Sequence, residues 1–161
     1  MKNFLKYNGI CAAILGVISF ILLLCTKAIK SDTVLEDIKG EDALFGYKYG
    51  LVEYDGSKAG LFGFIILLIA IIVLIVGIIL PAINKHFKNV SVLLNLIAAC
   101  ALILAGILIF CTKNSWYDVN KDLLLSAKSA FDLSVTYAIS GGLSIAAGAI
   151  ALLPAVANFK K

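Results

Sequence analysis

Four long apolar runs alternate with polar stretches along the chain. The most continuous run, Gly60 to Ile83, reads GLFGFIILLIAIIVLIVGIILPAI and holds no ionisable side chain. As a helix it would rise about 36 Å, against roughly 30 Å of bilayer hydrocarbon. A helix buried in a soluble core is rarely so long and so apolar on every side. The pattern therefore predicts a membrane span, and the remaining runs take their places around it. Spans are expected over about 10–25, 60–83, 91–111 and 133–157. The polar stretches 26–59 and 112–132 cannot cross hydrocarbon and become loops, and 84–90 (NKHFKNV) becomes a tight reversal. The basic start and apolar 10–25 also fit a signal peptide, but no A-x-A cleavage site follows, so a retained span is expected. The whole reads as one four-span membrane domain over 1–161.

Finer elements follow from local signals. Ser91 stands where a helix N-cap would be useful. Thr33-Val34-Leu35 predicts a short strand, and Ala43 to Tyr54 (ALFGYKYGLVEY) a small β-ribbon ahead of the turn pair Asp55-Gly56. Lys121 to Phe131 (KDLLLSAKSAF) has the spacing of a short amphipathic helix. Pro81 and Pro154 fall near the ends of their spans, where they are expected to end or bend a helix without breaking its middle.

Composition supports this layout. Of 161 residues 61% are hydrophobic, and the mean hydropathy of +1.02 is that of a polytopic membrane protein. All fourteen basic residues are Lys, with no Arg and no Gln, a bias that points to an A/T-rich bacterial genome. Charge placement sets the expected orientation. Lys2, Lys6, Lys85, Lys88, Lys160 and Lys161 fall on the tails and the short reversal, while every acid falls in the two longer loops. By the positive-inside rule both termini are cytoplasmic, in a plasma-membrane protein with both long loops outside. Phe45, Tyr47, Tyr49, Tyr54, Trp116 and Tyr117 lie in the outer loops, where they either form an interfacial belt, meet a partner or pack within the loops.

Two phrases recur. Leu22-Leu23-Leu24-Cys25-Thr26-Lys27 is matched by Leu108-Ile109-Phe110-Cys111-Thr112-Lys113, and Leu80-Pro81-Ala82-Ile83 by Leu153-Pro154-Ala155-Val156. A shorter second outer loop absorbs the difference in spacing. The pattern predicts a duplicated helical hairpin with a pseudo-two-fold axis along the membrane normal. Small residues mark the expected seams: Ala138, Gly142 and Ala146 in the last span, with parallel rows through Ser140, Ser144 and Gly148 and through Ala147, Ala151 and Ala155, Ala12 and Gly16 in the first, and Ala101 and Ala105 in the third. The last span should be central. The second, almost all Ile, Leu and Val in its middle, should face lipid most.

The chemistry is sparse. No charged residue or histidine lies mid-span, which argues against a proton-coupled transporter. Asn95 is the most polar deep residue and suits helix–helix contact. His86, in the basic reversal, has no visible catalytic partner. Asp118-x-Asn120-x-Asp122 begins like a calcium loop, but Leu123 replaces the glycine and Ser129 the bidentate glutamate. The acids Asp32, Glu36, Asp37, Glu41 and Asp42 read as a solvated loop. Cys25 and Cys111 occupy equivalent span ends and are a candidate disulfide, or else two small apolar residues. With no C-x-x-C pair, phosphate loop or nucleophile elbow, neither a metal, a cofactor nor a catalytic site is expected, and the basic clusters are too small for nucleic acid.

From Phe45-Gly46-Tyr47-Lys48-Tyr49-Gly50 through a polar turn to the span at Gly60, and in its overall layout, the chain resembles small four-span membrane proteins of low-GC Gram-positive bacteria. That resemblance implies no activity. The layout is also similar to claudin-like tetraspan proteins, without their outer-loop Gly-Leu-Trp signature and cysteine pair. The expectation is an all-α transmembrane four-helix bundle with duplicated hairpins and a small extracellular cap that holds a short β-ribbon. Its expected role is non-enzymatic: a scaffold or accessory subunit that meets a protein partner or further copies of itself in the bilayer. The alternative is an oligomeric small channel or transporter subunit.

Overall fold

The computed structural model describes residues 2–32, 37–84, 87–124 and 128–159, with side chains described from 7 to 153 within those ranges. In chain order the elements are α1 (Lys2–Cys25), β1 (Lys27–Ser31), β2 (Ile38–Lys39), α2 (Gly40–Phe45), β3 (Tyr47–Tyr49), β4 (Val52–Tyr54), α3 (Lys58–Ile83), α4 (Lys88–Phe110), α5 (Thr112–Asn120), β5 (Phe131–Leu133) and α6 (Val135–Phe159). The helices α1, α3, α4 and α6 are each long and apolar enough to cross a membrane. They form an antiparallel bundle. In it α6 packs on both α1 and α4, α4 packs also on α3, and α1 meets α3 only sparsely.

Between apolar helices in lipid, backbone approach and hydrogen bonding replace the hydrophobic effect as the adhesive. The α4–α6 seam uses both. A Cβ on Gly106 would lie 2.6 Å from the Gly141 carbonyl oxygen, and one on Gly148 would lie 2.7 Å from that of Ala99. Ser144 donates to the Leu102 carbonyl at 2.7 Å. One turn earlier on α6, toward α1, Ser19 and Ser140 each donate to the other's carbonyl oxygen, at 2.8 and 2.7 Å. Such bonds contribute about 0.6 kcal/mol each in a bilayer. The α3–α4 seam is built on Gly63, Leu67, Ala70, Leu74 and Gly77, a buried helical stripe. Ser91 donates its hydroxyl to the Gly77 carbonyl. It is therefore not the N-cap of α4, which begins at Lys88 with Phe87 ahead of it.

Burial ranks the spans differently from composition. The apolar stretch of α6 is the most buried, at 39%, and that of α1 the least, at 28%. The second span, α3, at 33%, equals α4 and is not the most lipid-facing helix. Its inward stripe of small residues is hidden in the sequence among Ile, Leu and Val. Pro81 lies inside the last turn of α3, and α6 continues past Pro154 to Phe159. The sparse α1–α3 side is bridged by Phe20 stacked on Phe64, ring centroids 5.3 Å apart, and by Gly16 against Ile71.

The two longer polar connections do not fold separately. β1 lies between β2 and β5 in an antiparallel sheet, with Ile29 opposite Leu133 and Ser31 opposite Phe131. The first connection is thereby tied to the end of the second, and both become one cap over one end of the bundle. The strand occupies Lys27–Ser31, where Ala28 and Ile29 are buried; the expected strand at 33–35 lies outside the described residues. The ribbon is present over Tyr47–Tyr54, but Ala43 to Phe45 belong to α2. Its turn is Gly50-Leu51. Gly50 has φ +62° and Leu51 does not share the positive φ, the type II′ pattern that matches strand twist. The amphipathic helix expected over Lys121 to Phe131 is displaced to Thr112–Asn120. There Thr112, Trp116 and Asn120, one turn apart, form a buried stripe, whereas Phe131 starts a strand.

Candidate functional site

The aromatic residues of the two longer connections divide into an interior and a rim. Tyr47 stacks on Tyr54 at 5.1 Å, Tyr54 on Trp116 at 6.1 Å, and Trp116 and Tyr117 both meet Phe131. Trp116 is fully buried and Tyr54 nearly so, while Tyr47 and Tyr117 are half-buried. Burial, with Tyr54 alongside, pushes the Tyr47 phenol up to about 12. These four rings are the cap's own core and offer little surface to a partner. Phe45, at 60% exposed, and Tyr49, at 47%, remain on the rim.

Asn120 locks the cap. Its Oδ1 accepts from the Asp55 N–H at 2.8 Å, and its Nδ2 donates to the carbonyls of Asp55 and Trp116, both at 2.9 Å. The side-chain amide thus pairs with the backbone after β4 much as a neighbouring strand would. This residue, singled out as a calcium-loop position, is committed to holding two connections together. Asp118 instead pairs with Lys128 at 3.3 Å, and Asp122 is exposed. Among the other loop acids, Asp37 accepts from Lys27 at 2.9 Å and from the Ser31 N–H. Those partners, Lys27 first, hold its carboxyl below the ordinary value. Glu36 and His86 lie outside the described residues.

The small-residue rows also divide. Ala12 is fully buried, and a Cβ on Gly16 would lie 3.1 Å from Ile71 Cγ1. In α6 the rows through Ser140, Ser144 and Gly148 and through Ala147 and Ala151 face the bundle. The row Ala138, Gly142 and Ala146 does not pack within it: Ala138 is half-buried, Ala146 is exposed, and a Cβ on Gly142 would meet nothing within 4 Å. A helix with three small rows can turn only two of them toward two neighbours, and the backbone contacts at Gly141 and Gly148 select which.

All four cysteines are free, Cys25 and Cys111 included. They end α1 and α4, which share no seam in the bundle. Asn95 is half-buried against Gly77, and its Oδ1 has no hydrogen-bond partner. Trp116 Nε1 and the Tyr137 hydroxyl are likewise buried without one. Sequence reasoning missed the Asn120 clamp and the Ser19–Ser140 exchange. Ser19 could have been found, as a hydroxyl in an otherwise apolar stretch of α1. The Asn120 clamp depends on a contact 65 residues away and leaves no local signal.

No protein-family model matches the chain, and no curated protein or solved structure matches it either.

Proposed function

We propose that the chain is a non-enzymatic interaction protein of the membrane, a scaffold or accessory subunit that meets the span of another chain along the outward face of α6. The observation that carries this reading is the open row at Gly142. The outward faces of α1 and α3 carry Ile14, Ile18 and Ile21, and Ile65, Ile69 and Ile72. On α6 the corresponding positions include Gly142 and Ala146, leaving a shallow channel down one helix. In lipid such a channel admits a second helix at close backbone distance.

The arrangement in the membrane follows the lysine asymmetry. The termini and short reversal face the cytoplasm, and the cap lies on the outer side of the plasma membrane. The paired hairpins α1–α3 and α4–α6 are read as copies of one unit. Equivalent details support this: Thr26 and Thr112, in the repeated phrase, both donate to the carbonyl four residues back, Leu22 and Leu108. The second copy has closed tightly while the first has opened to take the cap.

The test is native mass spectrometry of the protein taken from membrane into lipid discs, with every component identified. The expected result is a stoichiometric second chain that Gly142→Leu displaces without loss of folded protein. A closed homo-oligomer that resists Gly142→Leu would favour the oligomeric channel subunit, and ion flux in liposomes would then decide. A bare monomer from native membrane would sink the accessory-subunit reading.

A further inference from the structure

We propose that the β3–β4 hairpin rests its tip in the phospholipid headgroup layer at the cap end of the bundle, so that the cap is held down on the lipid surface. Strand pairing sets two faces on the hairpin. Lys48 and Glu53, directly opposite each other, occupy one face and bridge at 2.9 Å. Tyr47 with Tyr54 and Tyr49 with Val52 occupy the other. At its base this second face is covered, since Tyr54 stacks on the buried Trp116. Toward the tip it runs out of protein. Tyr49 and Val52 are exposed, and Leu51 in the turn is 99% exposed.

The occupant is argued from continuity with the surface that already meets lipid. Phe45 immediately precedes Gly46, where the chain leaves α2 for the hairpin. It meets Phe64 edge-on at 5.7 Å, and Phe64 stacks on Phe20 at 5.3 Å. Phe64 and Phe20 lie within the apolar stretches of α3 and α1. A continuous run of ring contacts therefore leads from the partly buried aromatic pair between α1 and α3 through the exposed Phe45 to the root of the hairpin. From there three residues per strand reach about 10 Å, comparable with the depth of a headgroup layer. Tyrosine and aliphatic side chains on one face with an ion pair on the other is the composition of a segment lying in an interface, where amphipathic rings sit at headgroup level. A partner protein at the same tip would need a matching pocket for a single leucine; the headgroup layer needs none.

The test places a nitroxide on Leu51→Cys and, separately, on Lys48→Cys, with Cys11, Cys25, Cys100 and Cys111 replaced by Ser. The chain is reconstituted in vesicles of phosphatidylcholine and phosphatidylglycerol. Collision with oxygen, which concentrates in lipid, is compared with collision with a water-soluble nickel chelate. The expected result is preference for oxygen at position 51 and for the chelate at position 48. Chelate preference at both positions places the tip in water and overturns the proposal. Shielding of position 51 from both reagents places it under protein and overturns it equally. If the serine background does not fold, Leu51→Trp in the otherwise native chain is read by quenching from brominated-acyl phosphatidylcholine. Quenching beyond that of Trp116 alone is expected, and its absence overturns the proposal.

Discussion

Gly106 and Gly142 lie on packed helices in opposite surroundings, and they should answer substitution with opposite signs. A Cβ on Gly106 would lie 2.5 Å from Ile145 Cγ1 and 2.6 Å from the Gly141 carbonyl oxygen. Gly106→Leu should force α4 from α6 and cost about 1–3 kcal/mol. Gly142→Ala meets open space and should be neutral or stabilising by up to about 1 kcal/mol, since alanine loses less backbone freedom in a helix. Unfolding in detergent, where no partner span is present, checks both. Trp116 gives a second contrast. Its indole N–H is buried without an acceptor, so the ring carries its value as apolar bulk. Trp116→Ala should cost about 3–5 kcal/mol. Trp116→Phe should cost far less, because it also removes an unsatisfied donor, and the same unfolding measurement separates the two.

At the scale of elements, the cap depends on a few joints between segments distant in sequence. Asn120→Ala would strip the Asp55 N–H and carbonyl of their partner, a loss of about 1–3 kcal/mol if no water enters. Hydrogen exchange at Asp55 should accelerate while exchange in the α4–α6 seam stays unchanged. The β1–β2 edge carries a pH dependence. Lys27 and the Ser31 N–H hold the Asp37 carboxyl below its ordinary value near 3.8. A depressed folded-state value means that the contribution is present above the ordinary one and is lost as pH falls through the folded one. Exchange of the Ser31 amide should therefore quicken only below about pH 4, and Asp37→Asn should abolish that acid response. The stripe Thr112, Trp116, Asn120 marks α5 once known, but the run of leucines after Asp122 is the louder signal in the sequence. Local periodicity could not choose between them, because the choice rests on the Phe131 and Asp55 contacts.

For the whole molecule, the free cysteines and the orientation are open to direct measurement. Cys25 and Cys111 end helices that share no seam, so electrophoretic mobility and intact mass should be the same with and without reductant. A membrane-impermeant thiol reagent applied to intact cells should label a cysteine introduced at Glu53, on the charged face of the hairpin, and should not label one introduced at Lys88. Reversal of that pattern would invert the proposed topology.

The sequence by itself determined how many helices are long and apolar enough to cross a membrane and which stretches are too polar to do so. Length and apolarity suffice for both, because a backbone in lipid has no solvent to satisfy it and must close into helices. It also determined which residues could form seams, since only small ones admit close approach. Which of them do so was decided by tertiary structure. The helix α6 offered three small rows, and the Gly106–Gly141 contact and the Ser19–Ser140 exchange turned Gly142 outward. For the aromatic residues of the two longer connections the sequence left belt, partner contact and loop packing open; β1–β5 pairing folds both connections over Trp116, which takes Tyr47, Tyr54 and Tyr117 into the cap with it and leaves Phe45 and Tyr49 on the rim. Rotation of a helix about its axis and the pairing of distant loops both rest on contacts across the chain, and no window of the sequence contains them.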